Sequence, residues 1–238
     1  MGEKEFIESL IKKANMVQLV VNEEEAKTFY QYMLLLLEWN QKMNLTAITE
    51  PEEIILKHFI DSITVLPYIE KNQTVLDIGT GAGFPGIPLK IVRNSQEIIL
   101  LDSLQKRIVF LQEVIKKLSL KDITAVHGRA EDFAKERKES YDIVVSRAVA
   151  RLNVLLEYML PFAKIGGKVI CMKAQNIEEE LEEAEKAIDL LGGKIEKIEE
   201  ITLPGTDITR KIVIIQKVKN TPKEYPRKAG IAVKKPII

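Results

Sequence analysis

"TVLDIGTGAGFPGIPL" (residues 74–89) decides the fold. Val75, Leu76 and Ile78 read as a short buried strand broken by one acid, Asp77, and followed by Gly79, Gly81, Gly83 and Gly86. Glycines crowd in this way where a backbone turns tightly or comes close to a ligand. Pro85 or Pro88 then presets the start of a helix. Strand, glycine loop and helix in that order form the first unit of a doubly wound sheet, whose ligands sit at the carboxyl ends of the strands.

Working outward, short apolar runs at 97–101, 123–127, 141–146 and 167–172 alternate with amphipathic patterns at 104–119, 152–164 and 177–191. Together with 74–78 they give five near-continuous apolar strands separated by helices, the pattern of a parallel sheet covered on both faces. After Gly192–Gly193 come KIEKIEEITL and RKIVIIQKV, joined only by a short loop at Pro204–Gly205. So short a connection makes them antiparallel, because a parallel pair needs a long crossover. Upstream, the spacing of Phe29, Tyr32, Met33, Leu36 and Leu37, and of Ile55, Phe59, Ile63 and Leu66, predicts helices over residues 3 to about 70. The expected architecture is α/β: a doubly wound, mostly parallel seven-stranded sheet with an antiparallel C-terminal hairpin. The expected division is a helical N-terminal extension (1–70), a sheet domain (71–218) and a basic tail (219–238).

The 238 residues are 46% hydrophobic and 29% charged with zero formal net charge, a soluble globular composition that gives no bulk signal for nucleic acid. Met33–Leu37, the longest apolar run, is far too short to span a bilayer, so no membrane partner is expected. The start, MGEKEF, lacks an apolar signal stretch, and Phe6 stands where a myristoylation signal wants Ser or Thr; the expected location is cytoplasmic. A lone Cys171 allows neither an internal disulfide nor a cysteine-rich metal site, and no metal is expected. From Lys219 onward six basic residues face one acid, Glu224, among Pro222, Pro226, Gly230 and Pro236. That segment reads as an extended basic tail, either contacting phosphates or simply solvated.

The glycine loop does not fit a triphosphate, because no Lys-Ser/Thr follows it. Gly81, Gly83 and Gly86 match the dinucleotide frame Gly-x-Gly-x-x-Gly, with Asp102 lying 21 residues beyond Gly81 at the end of the second strand. Asp77-x-Gly79-x-Gly81-x-Gly83 is an equally good frame, and it resembles motif I of S-adenosylmethionine-dependent methyltransferases. An acid at Asp102 suits either ligand, since both carry a ribose. The antiparallel hairpin favours the second frame. On that reading the glycines admit the methionine part of the cofactor, Asp102 binds ribose, and Asp77 attracts the ammonium or braces the loop. The following helix offers free N–H groups to the carboxylate.

Longer segments narrow the choice. EWNQKMNLTAI (38–48), HFIDSI (58–63), DIGTGAGFPGIPLKI (77–91), LLDSLQKRIVFL (100–111), GRAEDF (128–133), VVSRAVARL (144–152) and PRKAGIAVKKPI (226–237) together resemble one family, in order and over nearly the whole chain. It is the RsmG family, formerly glucose-inhibited division protein B, which methylates guanine N7 in 16S ribosomal RNA using S-adenosylmethionine. The resemblance implies a Rossmann-like class I methyltransferase fold, with small-subunit ribosomal RNA or the assembled small subunit as partner. It implies that Gly79 and Phe84 meet the cofactor, that Asp102 and Ser103 form the ribose turn, and that Ala130 and Glu131 lie beside adenine. Arg147 falls at the transfer site. His58 and Lys173 fall near the reactive centre as substrate-positioning groups, and Arg129 and Arg210 near RNA.

The residues agree with such chemistry partly by absence. The place after the fourth strand reads Ser146–Arg147–Ala148, where exocyclic-amine methylation uses Asn/Asp-Pro-Pro-aromatic; Cys171 sits in the apolar run VICM, unsuited to act as a nucleophile. Guanine N7 loses no proton when methylated, so placement suffices. An arginine there has a positioning role, and its charge beside a sulfonium must be offset by phosphate or carboxylate. Blander roles are expected for Trp39 (core anchor), Asn40 and Asn44 (helix–loop junction) and the Glu-rich run 178–185 (solvated helix face). A dinucleotide-dependent oxidoreductase and a catalytically idle ribosome-binding protein remain the alternatives.

Overall fold

The computed structural model of the chain describes residues 1–147 and 150–238; Ala148 and Val149, within the VVSRAVARL segment, lie outside the described residues. The N-terminal third is helical: α1 (Glu3–Met16), α2 (Glu23–Met43), α3 (Pro51–Ile54), a π-helical stretch (Ile55–Ile60) and α4 (Asp61–Ile63). Helix α2 opens on a capping box: Asn22 Oδ1 accepts from Glu25 N, and the Glu25 carboxylate accepts from Asn22 N, both at 2.9 Å. It closes at Asn44, left-handed at φ 49°. Asn40 Oδ1 then accepts from Thr46 N at 2.9 Å, so both asparagines close the helix–loop junction as expected.

The remainder runs β1 (Val75–Ile78), α5 (Gly86–Val92), β2 (Ile98–Asp102), α6 (Gln105–Lys117), β3 (Ile123–His127), α7 (Ala130–Arg137), β4 (Tyr141–Arg147), α8 (Leu152–Met159), β5 (Ala163–Lys173), α9 (Glu178–Leu190), β6 (Gly193–Thr202), β7 (Thr209–Lys217) and α10 (Ile231–Lys234). The seven strands lie in the order β3-β2-β1-β4-β5-β7-β6. The first five are parallel; β7 runs antiparallel between β5 and β6. Strand order reverses between β1 and β4, which sets a crevice at their carboxyl ends.

Two boundaries differ from the sequence reading. The helix expected over 152–164 stops at Met159, because Pro161 cannot continue it, and β5 begins at Ala163, four residues before 167. Between β3 and β4 the sequence suggested no helix, yet AEDFAKER forms α7; it buries only Ala130 and Ala134, too thin a stripe to give a readable period.

One apolar core joins the N-terminal helices to the sheet: Phe6, Phe29 and Phe59 belong to the same buried cluster as Ile98, Ile170, Met172 and Ile212. The other sheet face packs Val144, Cys171 and Val213 against Leu155, Leu156 and Ile188. Trp39 packs on Phe110 with ring centroids 5.7 Å apart, the core anchor expected. Cys171 is fully buried, its thiol pushed up to about 12 by desolvation, which suits a packing residue and not a nucleophile.

The tail is not extended into solvent. Lys138 Nζ donates to the carbonyls of Pro222 and Tyr225 at 2.9 and 2.8 Å, and Ala232 and Ile237 are buried. Apolar positions hidden among the lysines override the charge pattern.

Candidate active site

The glycine loop after β1 is shaped by a carboxylate behind it. Asp77 is fully buried; its Oδ2 accepts from Thr80 Oγ1 at 2.6 Å and from Gly86 N at 2.8 Å. Burial pushes its pKa up to about 7, against the pull of those two donors and of Arg147. Asp77 therefore braces the loop instead of facing the crevice, and it takes the first amide of α5 that the sequence reading had offered to a carboxylate ligand. Gly83, at φ 99°, also faces inward: a Cβ there would lie 2.5 Å from Ile87 Cδ1 and 2.7 Å from the Tyr32 hydroxyl. Tyr32, on α2, donates that hydroxyl to Ala82 O and so ties the N-terminal helices to the loop.

Gly79 and Gly81 face outward, into a crevice of two lobes. One lobe, about 290 Å³, is lined by Gly79, Leu101, Asp102, Ser103, Arg129, Ala130, Glu131 and Tyr158. The other, about 450 Å³, is lined by Thr46, His58, Gly79, Gly81, Phe84, Asp102, Arg107 and Arg147. Gly79, Asp102 and Ser103 belong to both and form the waist. A larger cavity of about 780 Å³ lies between α1 and the β6–β7 turn, lined mainly by lysines and glutamates, away from the sheet's switch point.

At the waist, Asp102 Oδ2 accepts from Gly81 N at 2.9 Å and from Arg107 Nη1 at 3.1 Å, while Oδ1 accepts from Leu104 N at 2.9 Å. These bonds fix the carboxylate in place: Oδ2 has both lone pairs engaged, and Oδ1 keeps capacity for a further donor. A Cβ added at Gly81 would meet only Gly79 O, at 3.9 Å, so a side chain there would stand in the crevice. A fixed carboxylate beside a glycine cradle, flanked by an apolar slot at Leu101 and Ala130, fits a nucleoside carrying an amino-acid chain. In the smaller lobe, burial, then the carboxylates of Glu131 and Glu157, hold the Tyr158 hydroxyl above its ordinary pKa.

The larger lobe is built by partners far apart in sequence. The Phe84 ring is stacked on His58, with centroids 4.6 Å apart at 17°, and lies 4.9 Å from the Arg147 guanidinium carbon. Arg147 Nη1 donates to Lys57 O at 3.1 Å and to Asp61 Oδ2 at 3.2 Å. Arg210 Nε lies 3.3 Å from Asp61 Oδ1, so one buried carboxylate holds two arginines. The π-helical stretch carries His58 and the Lys57 carbonyl to this point; such wide turns recur at functional sites. His58 Nε2 pairs with Thr46 Oγ1 at 2.8 Å. Burial, then the neighbouring Arg147 charge, pull the His58 pKa down to about 4, leaving the ring neutral near pH 7. Burial also lowers the Arg147 pKa, with Asp61 opposing, and an arginine stays charged throughout.

The fold thus brings together Gly79, Gly81, Phe84, Asp102, Ser103, Ala130, Glu131, Arg129, His58 and Arg147 as lobe-lining residues, with Arg210 joined to them through Asp61. Asp77 and Gly83 stand behind the loop, and Lys173 stands apart. Arg147 pairs with Met172 across the β4–β5 ladder, and the next residue points to the opposite face. There Lys173 binds Glu180 at 2.6 Å and Ala150 O at 2.7 Å, beneath α9. The Glu-rich run is correspondingly more than a solvated face: Glu180 also accepts from Leu152 N, at 2.8 Å. Sequence reasoning missed Asp61, Arg107 and Tyr158. Asp61 had a signal, since it follows His58 by three in HFIDSI and shares its helical face.

Comparison with known proteins agrees with this geometry. Among solved structures, a S-adenosylmethionine-dependent methyltransferase from Aquifex aeolicus superposes with a TM-score of 0.55 at 17% identity, covering 73% of this chain and 97% of that one. A precorrin-6y C5,15-methyltransferase from Geobacter metallireducens gives a TM-score of 0.53 at 15% identity over 66% of this chain and 87% of the other. These likenesses establish the methyltransferase-type fold. By sequence, the ribosomal RNA small subunit methyltransferase G of Acetivibrio thermocellus is 53% identical over 242 residues, covering the whole of both chains. That of Clostridium novyi is 50% identical over 241 residues, covering 100% of this chain and 99% of the relative. With the family profile described as GidB, rRNA small subunit methyltransferase G, matching residues 25–212, the chain belongs to that family.

Proposed function

We propose that the chain transfers a methyl group from S-adenosylmethionine to N7 of a guanine in 16S ribosomal RNA, presented as free RNA or in the small subunit, in the cytoplasm. Family membership makes it a methyltransferase of small-subunit ribosomal RNA. The observation that carries the N7 assignment is the make-up of the larger lobe. It holds a charged arginine, a histidine and an aromatic ring around a buried carboxylate. The histidine is engaged at Nε2 by Thr46 and weakened as a base by its lowered pKa, Asp102 is held by three donors, and neither cysteine nor lysine is among the described lining residues.

In this reading Asp102 takes the ribose hydroxyls, the Gly79–Gly81 turn admits the methionine portion, and Ala130 and Glu131 with Tyr158 enclose the adenine. Ser103 closes the waist. The cofactor, when bound, supplies an electrophilic methyl group on a sulfonium. N7 carries an exposed lone pair and keeps it free of any proton, so the residues' task is placement in line. Arg147, pinned by Lys57 O and Asp61, presents N–H donors suited to O6 of guanine or to a phosphate. Asp61 supplies the carboxylate that offsets the arginine's charge beside a sulfonium. His58 stacks on Phe84 and extends the flat surface against which a base lies. Arg129, exposed at the mouth of the smaller lobe, and Arg210 beside Asp61 are suited to the RNA backbone. Lys173 acts at a distance, holding the chain after β4.

The test is transfer from labelled S-adenosylmethionine to unmodified small subunits, with large subunits as control, followed by strand scission specific for N7-methylguanine. Label confined to small-subunit RNA and cleavable at one guanine is the expected result. Label that resists scission removes the N7 assignment, and label in neither subunit removes the substrate.

A further inference from the structure

The C-terminal residues are committed to the walls of the smaller lobe. Arg227 binds Glu157 through four hydrogen bonds, from its backbone N, Nε and Nη2, at 2.5 to 3.1 Å. Glu157, on α8, is 1% exposed, so the pair is a buried one whose loss leaves a bare carboxylate. Its neighbour in sequence is Tyr158, a wall of that lobe. Three residues beyond Arg227, Gly230 N donates to Glu131 Oε1 at 3.2 Å, and Glu131, on α7, is another wall. The segment is anchored before these contacts by Lys138 and after them by buried Ile237 and by Lys186 Nζ, which donates to Ile238 O at 2.9 Å. One stretch of chain therefore crosses α7, α8 and α9 and holds two walls of one lobe, each on a different helix.

We propose that residues 222–238 form a strap that fixes the separation of Glu131 and Tyr158, and that Arg227 is a positioning residue for the nucleoside end of the cofactor. The proposal rests on reading the crevice as the S-adenosylmethionine site. It gives the basic tail a role in cofactor affinity in place of RNA affinity. A wall held from outside loses its spacing when the holding pair is cut, and a site loosened in this way binds more weakly without losing its chemistry.

Calorimetry with S-adenosylhomocysteine on the full-length chain tests it, with Arg227→Ala, Glu157→Gln and Asp102→Ala compared. Arg227→Ala and Glu157→Gln are expected to weaken binding about tenfold, with Arg227→Lys recovering part of the loss. KM for S-adenosylmethionine rises in step, while kcat at saturation and KM for RNA stay within about twofold. Amide exchange at 227–232 slows on adding S-adenosylhomocysteine to the unaltered chain, which a merely structural tail would not show. Unchanged affinity in folded Arg227→Ala and Glu157→Gln overturns the strap. So does a rise in KM for RNA with a shallower salt dependence and no change in cofactor affinity, the signature of a phosphate-contacting arm. If Asp102→Ala also leaves binding intact, the crevice reading itself falls, and the strap falls with it.

Discussion

The two lobes that meet at Asp102 are built on different plans. The smaller is assembled from the ends of neighbouring parallel strands: Gly79 after β1, Asp102 at the end of β2, and Ala130 and Glu131 after β3. Its polar groups are carboxylates, backbone and the Ser103 and Tyr158 hydroxyls, with Arg129 at the mouth. The larger takes Thr46 from the loop after α2, His58 from the π-helical stretch, Phe84 from the glycine loop and Arg147 from β4, and its dominant charges are arginines. The first lobe has its floor in strand ends and its walls on α7 and α8; the second exists only because the extension packs on the sheet. A fold shared by methyltransferases with different substrates can keep the first plan and vary the second.

Cutting each lobe at its own residue is the strongest way to break this comparison. Arg147→Ala is expected to lower methyl transfer about a hundredfold through lost placement, with cofactor affinity within a few-fold; equal losses in both would mean that the lobes are not separable. Asp102→Ala is expected to weaken cofactor affinity by about 2 kcal/mol, the worth of hydrogen bonds to a charged acceptor, while saturating cofactor restores most of the rate. Asp61→Asn sharpens the picture within the larger lobe. It keeps the shape and removes the counter-charge, so kcat is expected to fall about tenfold with little change in KM for cofactor. A kcat indistinguishable from that of the unaltered chain would remove charge balance as its role. Tyr32→Phe, which cuts the hydroxyl bond to Ala82 O, is expected to cost about 1 kcal/mol in urea unfolding.

In the unaltered chain the net effect of pH is the smallest, because two contributions nearly cancel. His58 has a pKa lowered from 6.5 to about 4, so the unfolded chain takes up its proton first and this contribution to stability is lost as pH falls from about 6.5 to 4. Asp77 has a pKa raised from 3.8 to about 7, so the folded chain keeps its proton longer and stability is lost as pH rises across nearly the same window. The two slopes oppose. Asp77→Asn should expose a stability that rises with pH between about 4 and 6.5, and His58→Asn one that falls between about 4 and 7. Parallel curves for the two variants would refute the assignment.

The smaller lobe was legible in the sequence because its residues sit at strand ends that the apolar rhythm marks. Asp102 and the Ala130–Glu131 pair need no tertiary information beyond a parallel sheet. The inward side of the loop was not legible. Nothing in Asp77-x-Gly79-x-Gly81-x-Gly83 says that Asp77 turns back to Gly86 N, or that Gly83 is required by a tyrosine 51 residues upstream. Lys173 misled because its distance along β5 is right and only the alternation of side chains sends it away from Arg147. The tail misled because charge dominates its composition while a few buried residues dominate its placement. The helical spacing from His58 marks the face that Asp61 occupies, but its two arginines come from β4 and β7, and no local pattern tells which charges it meets there.

The span from Asp61 to Arg210, 149 residues, has a consequence for the order of assembly. Strand β7 lies between β5 and β6 in the sheet, so the partner of Asp61 arrives with the strand that must insert between two earlier ones. Contacts of such sequence separation form late, after the entropy of closing a long loop has been met. A chain still emerging from the ribosome that makes it has the strands of the smaller lobe before it has the second arginine on Asp61. A methyltransferase of ribosomal RNA is thereby synthesised on a ribosome while the Asp61 cluster beside its larger lobe is still incomplete, and completes it when β7 is released.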